Sequence, residues 1–171
     1  MFKTFFISEL KYTLKQPMVY IFIFILALME FFATVSDNVQ VGGAIGNVYR
    51  NSPYTITIHV TIFCIFSLLM AVAFFNNAAL RDHNNEFNEI LFTTPLSKPG
   101  YFFGRFFGAL VISTLPLLGV YIGMLLGTYM NSVFGWLATE RFGEFYFEIF
   151  LYNFILFIIP IRFFPGVVFY A

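Results

Sequence analysis

The sequence predicts an all-α integral membrane protein, and three observations carry that expectation. Four apolar runs stand out along the chain, nearly all the charge lies between them, and 60% of the 171 residues are hydrophobic against 11% charged. A water-soluble domain carries about a quarter charged residues, too many for this composition to match. A helix crosses roughly 30 Å of hydrocarbon with about 20 mostly apolar residues. The predicted architecture is an N-terminal interfacial amphipathic helix followed by four transmembrane helices, with the N-terminus in the cytoplasm.

Residues 1–16 form the first predicted element. Phe2, Phe6 and Leu10 recur four apart with Phe5 and Leu14 beside them, while Lys3, Lys11 and Lys15 stay off that stripe. This is the pattern of an amphipathic helix lying along the inner leaflet. Gln16-Pro17 breaks it, because proline biases its neighbour away from helix. The alternative at this point is one long tilted first helix kinked at Pro17.

The spans are expected at about 18–35, 54–75, 102–127 and 145–166, together making a transmembrane domain over 17–171. The first is not a cleavable signal peptide, since no small-residue cleavage site follows a patterned basic segment. Lys3, Lys11 and Lys15 precede the first span, Arg50 stands alone in the first loop, Arg81, Lys98 and Arg105 flank the second, and Arg141 lies in the third. That alternation of basic residues puts the N-terminus and the loop 76–101 on the cytoplasmic side. Arg105 and Arg162, each a few residues inside a run, are expected to snorkel to the headgroups.

Inside the spans, Glu30 is expensive in hydrocarbon. It reads either as a polar contact along a translocation path or as a protonated or hydrogen-bonded glutamate between helices. His59 reads as an interfacial hydrogen-bonding residue. Gly119, Gly123 and Gly127 stand four apart on one face of the third span, and Gly104 and Gly108 repeat the spacing nearer its start. Small residues so spaced let helices approach closely, within one subunit or between two.

Several classes of function are excluded by what the sequence lacks. Nine Lys plus Arg are balanced by nine Asp plus Glu, so no basic face for nucleic acid is expected. The single cysteine, Cys64, builds neither a disulfide framework nor a cysteine zinc site. There is no Gly-x-x-x-x-Gly-Lys-Ser/Thr, and Gly42-Gly43-x-x-Gly46 lacks the lysine. There is no His-Glu-x-x-His either, and His83 with Glu86 makes a poor zinc site. No enzymatic activity and no cofactor are expected of these residues.

The loop 76–101 is the most informative stretch. Leu80, Phe87, Ile90 and Leu91 recur at helical spacing, while Asp82, Glu86 and Glu89 line the other sides. Thr93-Thr94-Pro95 ends that helix, and Ser97-Lys98-Pro99-Gly100 reads as a turn into the next span. A short, acidic, half-apolar helix suits insertion into a groove on a partner protein.

Three groups of residues then carry a family resemblance. Phe6-x-x-Glu9-Leu10-Lys11 followed by Lys15-x-Pro17-x-x-Tyr20 resembles the opening of an ABC-2 type transporter permease. Arg81-Asp82, the run from Glu89 to Lys98 and Tyr101-Phe102-Phe103-Gly104-Arg105-Phe106 resemble that family's cytoplasmic coupling helix. Asn51-Ser52-Pro53-Tyr54, Thr93-Thr94-Pro95-Leu96-Ser97-Lys98 and Glu140-Arg141-Phe142-Gly143 onward look like bacterial permeases fused to an M1-type aminopeptidase domain, although Pro160-Ile161-Arg162 departs from that pattern. The resemblance implies a permease subunit that pairs with a second permease subunit. It also implies a separate ABC-type ATPase subunit met by Arg81, Asp82, Glu86, Phe87, Glu89, Ile90 and Leu91. Six spans per subunit are implied, so that these residues would be the front of a longer permease or of a permease-aminopeptidase fusion. A small four-span scaffold, assembling other membrane proteins through its glycine faces, is the competing expectation.

Overall fold

The computed structural model describes residues 2–36, 48–84, 97–135, 142–144 and 146–157. Five helices lie within them: α1 (Phe2–Leu14), α2 (Pro17–Val35), α3 (Pro53–Asn84), α4 (Lys98–Phe134) and α5 (Phe147–Phe157). Three are long and apolar enough to cross a membrane, over Pro17–Val35, Pro53–Arg81 and Lys98–Asn131. The fourth predicted span is represented by α5, an apolar helix of 11 residues, and residues 158–166 of that span lie outside the described residues.

The helices overrun their apolar segments. At about 1.5 Å per residue, the 32 residues of α3 extend about 48 Å and the 37 of α4 about 55 Å, well beyond about 30 Å of hydrocarbon. The predicted loop 76–101 is correspondingly shorter, because residues 76–84 continue α3 and 98–101 open α4. No breaker follows Phe75, and Ala78 is buried with Ala71 and Phe75 against Phe106 and Ala109. Ser97 precedes α4, and Pro99 falls in its first turn, where a missing N–H costs nothing. The expected turn at 97–100 is therefore the start of a helix. At the far end Gly135 adopts the left-handed conformation (φ 58°) and donates its N–H to the Asn131 carbonyl, closing α4.

Helix α4 is the centre of the bundle. Helix α3 runs antiparallel to it: Ala78 and Phe75 meet Phe106, Phe74 meets Ile112, and Ile56, Val60, Phe63 and Cys64 join Leu117, Val120, Tyr121 and Met124. Phe150 of α5 completes this last cluster. Helix α2 lies on another side of α4 and runs parallel to it, Ile23 against Gly119, Ala27 against Gly123 and Thr34 against Gly127. Its other side leaves Tyr20, Phe24, Leu28 and Phe32 exposed, four apart, as a lipid-facing stripe.

Helix α1 continues along the same side of α4. Phe5 and Phe2 meet Gly104, and Glu9 and Phe6 meet Gly108, so α1 and α2 follow α4 in one direction with a single break between them. At that break Lys15 and Gln16 donate to the Tyr12 and Thr13 carbonyls, Gln16 is extended, and Pro17 starts α2. The face of α1 turned inward differs from the predicted stripe. Glu9 and Thr13 are its buried side chains, whereas Phe2 and Leu14 are exposed.

Five glycines make this route possible. A Cβ at Gly119 or Gly123 would fall on the Ile23 or Ala27 carbonyl oxygen, closer than real Cβ atoms approach backbone. At Gly104, Gly108 and Gly127 it would press on the Cβ atoms of Phe5, Glu9 and Thr34. Lipid tails are as apolar as leucine, so helices in a membrane associate through packing and polar contacts instead of hydrophobic expulsion. The row of glycines supplies that packing along residues 2–9 of α1 and 23–34 of α2.

Candidate functional site

Two buried polar clusters tie the helices together, and each sits near one end of the bundle. The first joins α1, α3 and α4 beside the segment that connects α3 to α4. Glu9, 2% exposed, receives a two-pronged pair from Arg81: Nη1 donates to Oε1 at 3.1 Å and Nη2 to Oε2 at 2.6 Å. Arg105 brings its Nε to 3.7 Å from Glu9 Oε2 and donates from Nη1 to the Ala78 carbonyl at 3.1 Å. The Thr13 hydroxyl donates to Glu9 Oε1 at 3.4 Å. Each guanidinium also lies against an aromatic ring, Arg81 at 4.2 Å from the Tyr12 centroid and Arg105 at 5.0 Å from that of Tyr101.

The chemistry of this cluster follows from its geometry. A planar guanidinium matches a carboxylate with two parallel hydrogen bonds, and the rings supply cation–π attraction on the other face. One carboxylate thus holds the last turns of α3, the first turns of α4 and the middle of α1. Arg105 does not reach outward to headgroups as its place in the sequence suggested; it is 7% exposed and turned inward, because Glu9 and the Ala78 carbonyl offer it partners. Arg81 is likewise engaged on Glu9. Asp82 continues α3, whereas Glu86, Phe87, Glu89, Ile90 and Leu91 lie outside the described residues, as does Arg162.

The second cluster lies near the opposite end, between α2 and α3. Glu30 is fully buried, with Oε1 at 2.8 Å from His59 Nδ1 and accepting from the Thr34 hydroxyl at 3.2 Å. Its Oε2 has no hydrogen-bond partner among the described residues. Beside it, Arg50 Nη1 donates to the Thr34 and Ser36 carbonyls at 2.9 and 2.8 Å, closing the end of α2. Asn51 then clasps the chain before α5: its Nδ2 donates to the Gly143 and Glu144 carbonyls at 2.7 and 3.0 Å, and its Oδ1 accepts the Gly143 N–H at 2.7 Å. The Ser52 hydroxyl accepts the Thr55 N–H ahead of Pro53, an N-cap with proline in the first turn. Farther along, the Thr57 hydroxyl donates to Asn153 Oδ1 at 2.8 Å, joining α3 to α5.

Sequence reasoning singled out Glu30 and His59 separately, and the structure brings them into contact. It passed over Glu9 except as a letter in a motif. The available signal was the spacing of Phe5, Glu9 and Thr13, which puts a carboxylate on the face of α1 that meets the helix bundle. The five glycines of α4 all face α1 or α2 of the same chain.

The fold defines the class to this extent: three candidate spans make the chain a multi-pass membrane protein. Comparisons with protein-family models, curated proteins and solved structures return no match.

Proposed function

We propose that this chain is the membrane-spanning permease subunit of an ABC-2 type transporter in the inner membrane. It works with a second permease subunit and draws on ATP hydrolysis in a separate ATPase subunit. The ordered motifs that resemble that family support the reading, and one structural observation carries it. The segment between α3 and α4, which holds Glu86, Phe87, Glu89, Ile90 and Leu91, springs from two helix ends fastened to each other and to α1 through Glu9.

A partner that grips this segment therefore pulls on three helices at once. Arg81 acts in this scheme as the tie behind the docking surface, which Asp82, Glu86, Phe87, Glu89, Ile90 and Leu91 provide. The work is conformational: the ATPase subunits change their separation, and each span follows as a near-rigid helix while the Glu9 tie between them stretches and re-forms. The scaffold alternative relied on free glycine faces, and these are covered within the chain by α1 and α2.

Purification of the full chain from its own membrane in mild detergent tests the proposal. A subunit with a Gly-x-x-x-x-Gly-Lys-Ser/Thr loop is expected to accompany it. Phe87→Asp or Ile90→Asp is expected to lower that recovery at least about tenfold, the equivalent of about 1.4 kcal/mol, with membrane insertion unchanged. Recovery unaffected by either substitution removes the assigned loop, and absence of any such subunit removes the transporter.

A further inference from the structure

We propose that Glu30 and His59 form a proton-binding site that holds one proton between Glu30 Oε1 and His59 Nδ1, the carboxyl group neutral, and so latches α2 to α3. The two carboxyl oxygens of Glu30 differ in their partners. Oε1 lies 2.8 Å from His59 Nδ1 and 3.2 Å from the Thr34 hydroxyl. Oε2, equally buried, has no partner among the described residues.

A carboxylate spreads its charge over both oxygens, and each then needs donors. Leaving half of that charge unpartnered in an apolar interior carries a large desolvation penalty. A carboxylic acid has no such requirement. Its hydroxyl, at Oε1, donates to Nδ1 while accepting from Thr34, and its carbonyl, at Oε2, tolerates isolation far better. His59 is then the neutral tautomer with its ring proton on Nε2.

The charged surroundings do not counter this assignment. Among the described residues His59 is the one ion-pair partner of Glu30. On α2 its other partner is Thr34, and α4 presents Gly127 to that threonine. Arg50, a cation at this end, spends its Nη1 on the Thr34 and Ser36 carbonyls.

The site matters because α2 and α3 meet each other sparingly, each packing chiefly on α4. Near the end of α2, the bond from Glu30 to His59 is a direct side-chain tie between the two helices. Withdrawal of the proton turns Glu30 into a carboxylate with an unsatisfied oxygen, which favours separation of the two helices and access of water. The ligand of this site is a proton, and its release opens the latch. The inference does not rest on the transporter reading.

Infrared difference spectroscopy on the full chain in lipid nanodiscs reads the carboxyl group directly. At pH 7 the expected spectrum contains the carbonyl stretch of a protonated carboxylic acid, shifted in heavy water and lost in Glu30→Gln. Should that variant fail to assemble, His59→Asn serves in its place. It replaces the acceptor and is expected to shift the same band. No protonated-carboxyl band at pH 7, or a band unmoved by both substitutions, overturns the proposal.

Discussion

The two ends of the bundle are held by different chemistry. At the end where α1 lies, side chains hold side chains: one carboxylate, Glu9, gathers two guanidinium groups from α3 and α4. At the opposite end, besides the Glu30–His59 and Thr57–Asn153 side-chain ties, side chains hold main chain. Arg50 binds the last carbonyls of α2, and Asn51 clasps the backbone at Gly143 and Glu144. A tie between two long side chains can be stretched, hydrated and remade with little change in the helices. A clasp on main chain fixes the local path of the chain. Under the proposed transporter function, the difference suits an end that receives motion and an end that resists it.

The largest expected effect breaks the charged end. Glu9→Leu leaves Arg81 and Arg105 without their carboxylate, and breaking a buried pair on one side costs about 3–5 kcal/mol. The folded fraction surviving heat in detergent, read by size exclusion, should fall accordingly. Adding Arg81→Met should recover part of that loss, because the two positions form one network and do not add; a simple sum of the two losses would contradict the cluster.

Gly123→Leu attacks the seam common to both ends. Its side chain would enter the Ala27 backbone, and a core forced to accept such volume loses about 3 kcal/mol. The same assay should register it, and the lipid-facing substitution Phe24→Leu should not. At the main-chain end, Asn51→Ala removes three hydrogen bonds to Gly143 and Glu144. With burial of the freed groups the loss is about 2 kcal/mol, and proteolysis near Gly143 should quicken. Thr57→Val is the mildest, about 1 kcal/mol for the bond to Asn153, visible as a small fall in the same heat assay.

Much of the fold was legible because hydropathy marks a helix wherever a bilayer is its solvent. The three candidate spans coincide with three of the apolar runs for that reason. Helix ends were less legible. Apolarity stops at Phe75, but the Asn76–Asn84 stretch continues the helix, since Ala78 has Phe106 and Ala109 to pack against. The charged cluster was hidden for a different reason. Glu9, Arg81 and Arg105 lie far apart in sequence, and only the parallel course of α1 along the glycines of α4 brings the carboxylate to both arginines. Glu30 drew notice by its cost in hydrocarbon, whereas its contact with His59 depended on the register of α3 against α2.

The central claim is that motion enters at the charged end, and distances between spin labels test it most directly. Exposed positions Ser8 on α1 and Leu80 on α3 report on that end, and exposed Tyr49 and Glu148 report on the other. In a complex purified with the proposed ATPase subunit, ATP trapping should shift the distance between Ser8 and Leu80 and leave that between Tyr49 and Glu148 unchanged. A fixed distance between Ser8 and Leu80, whether or not the other pair moves, would contradict the account.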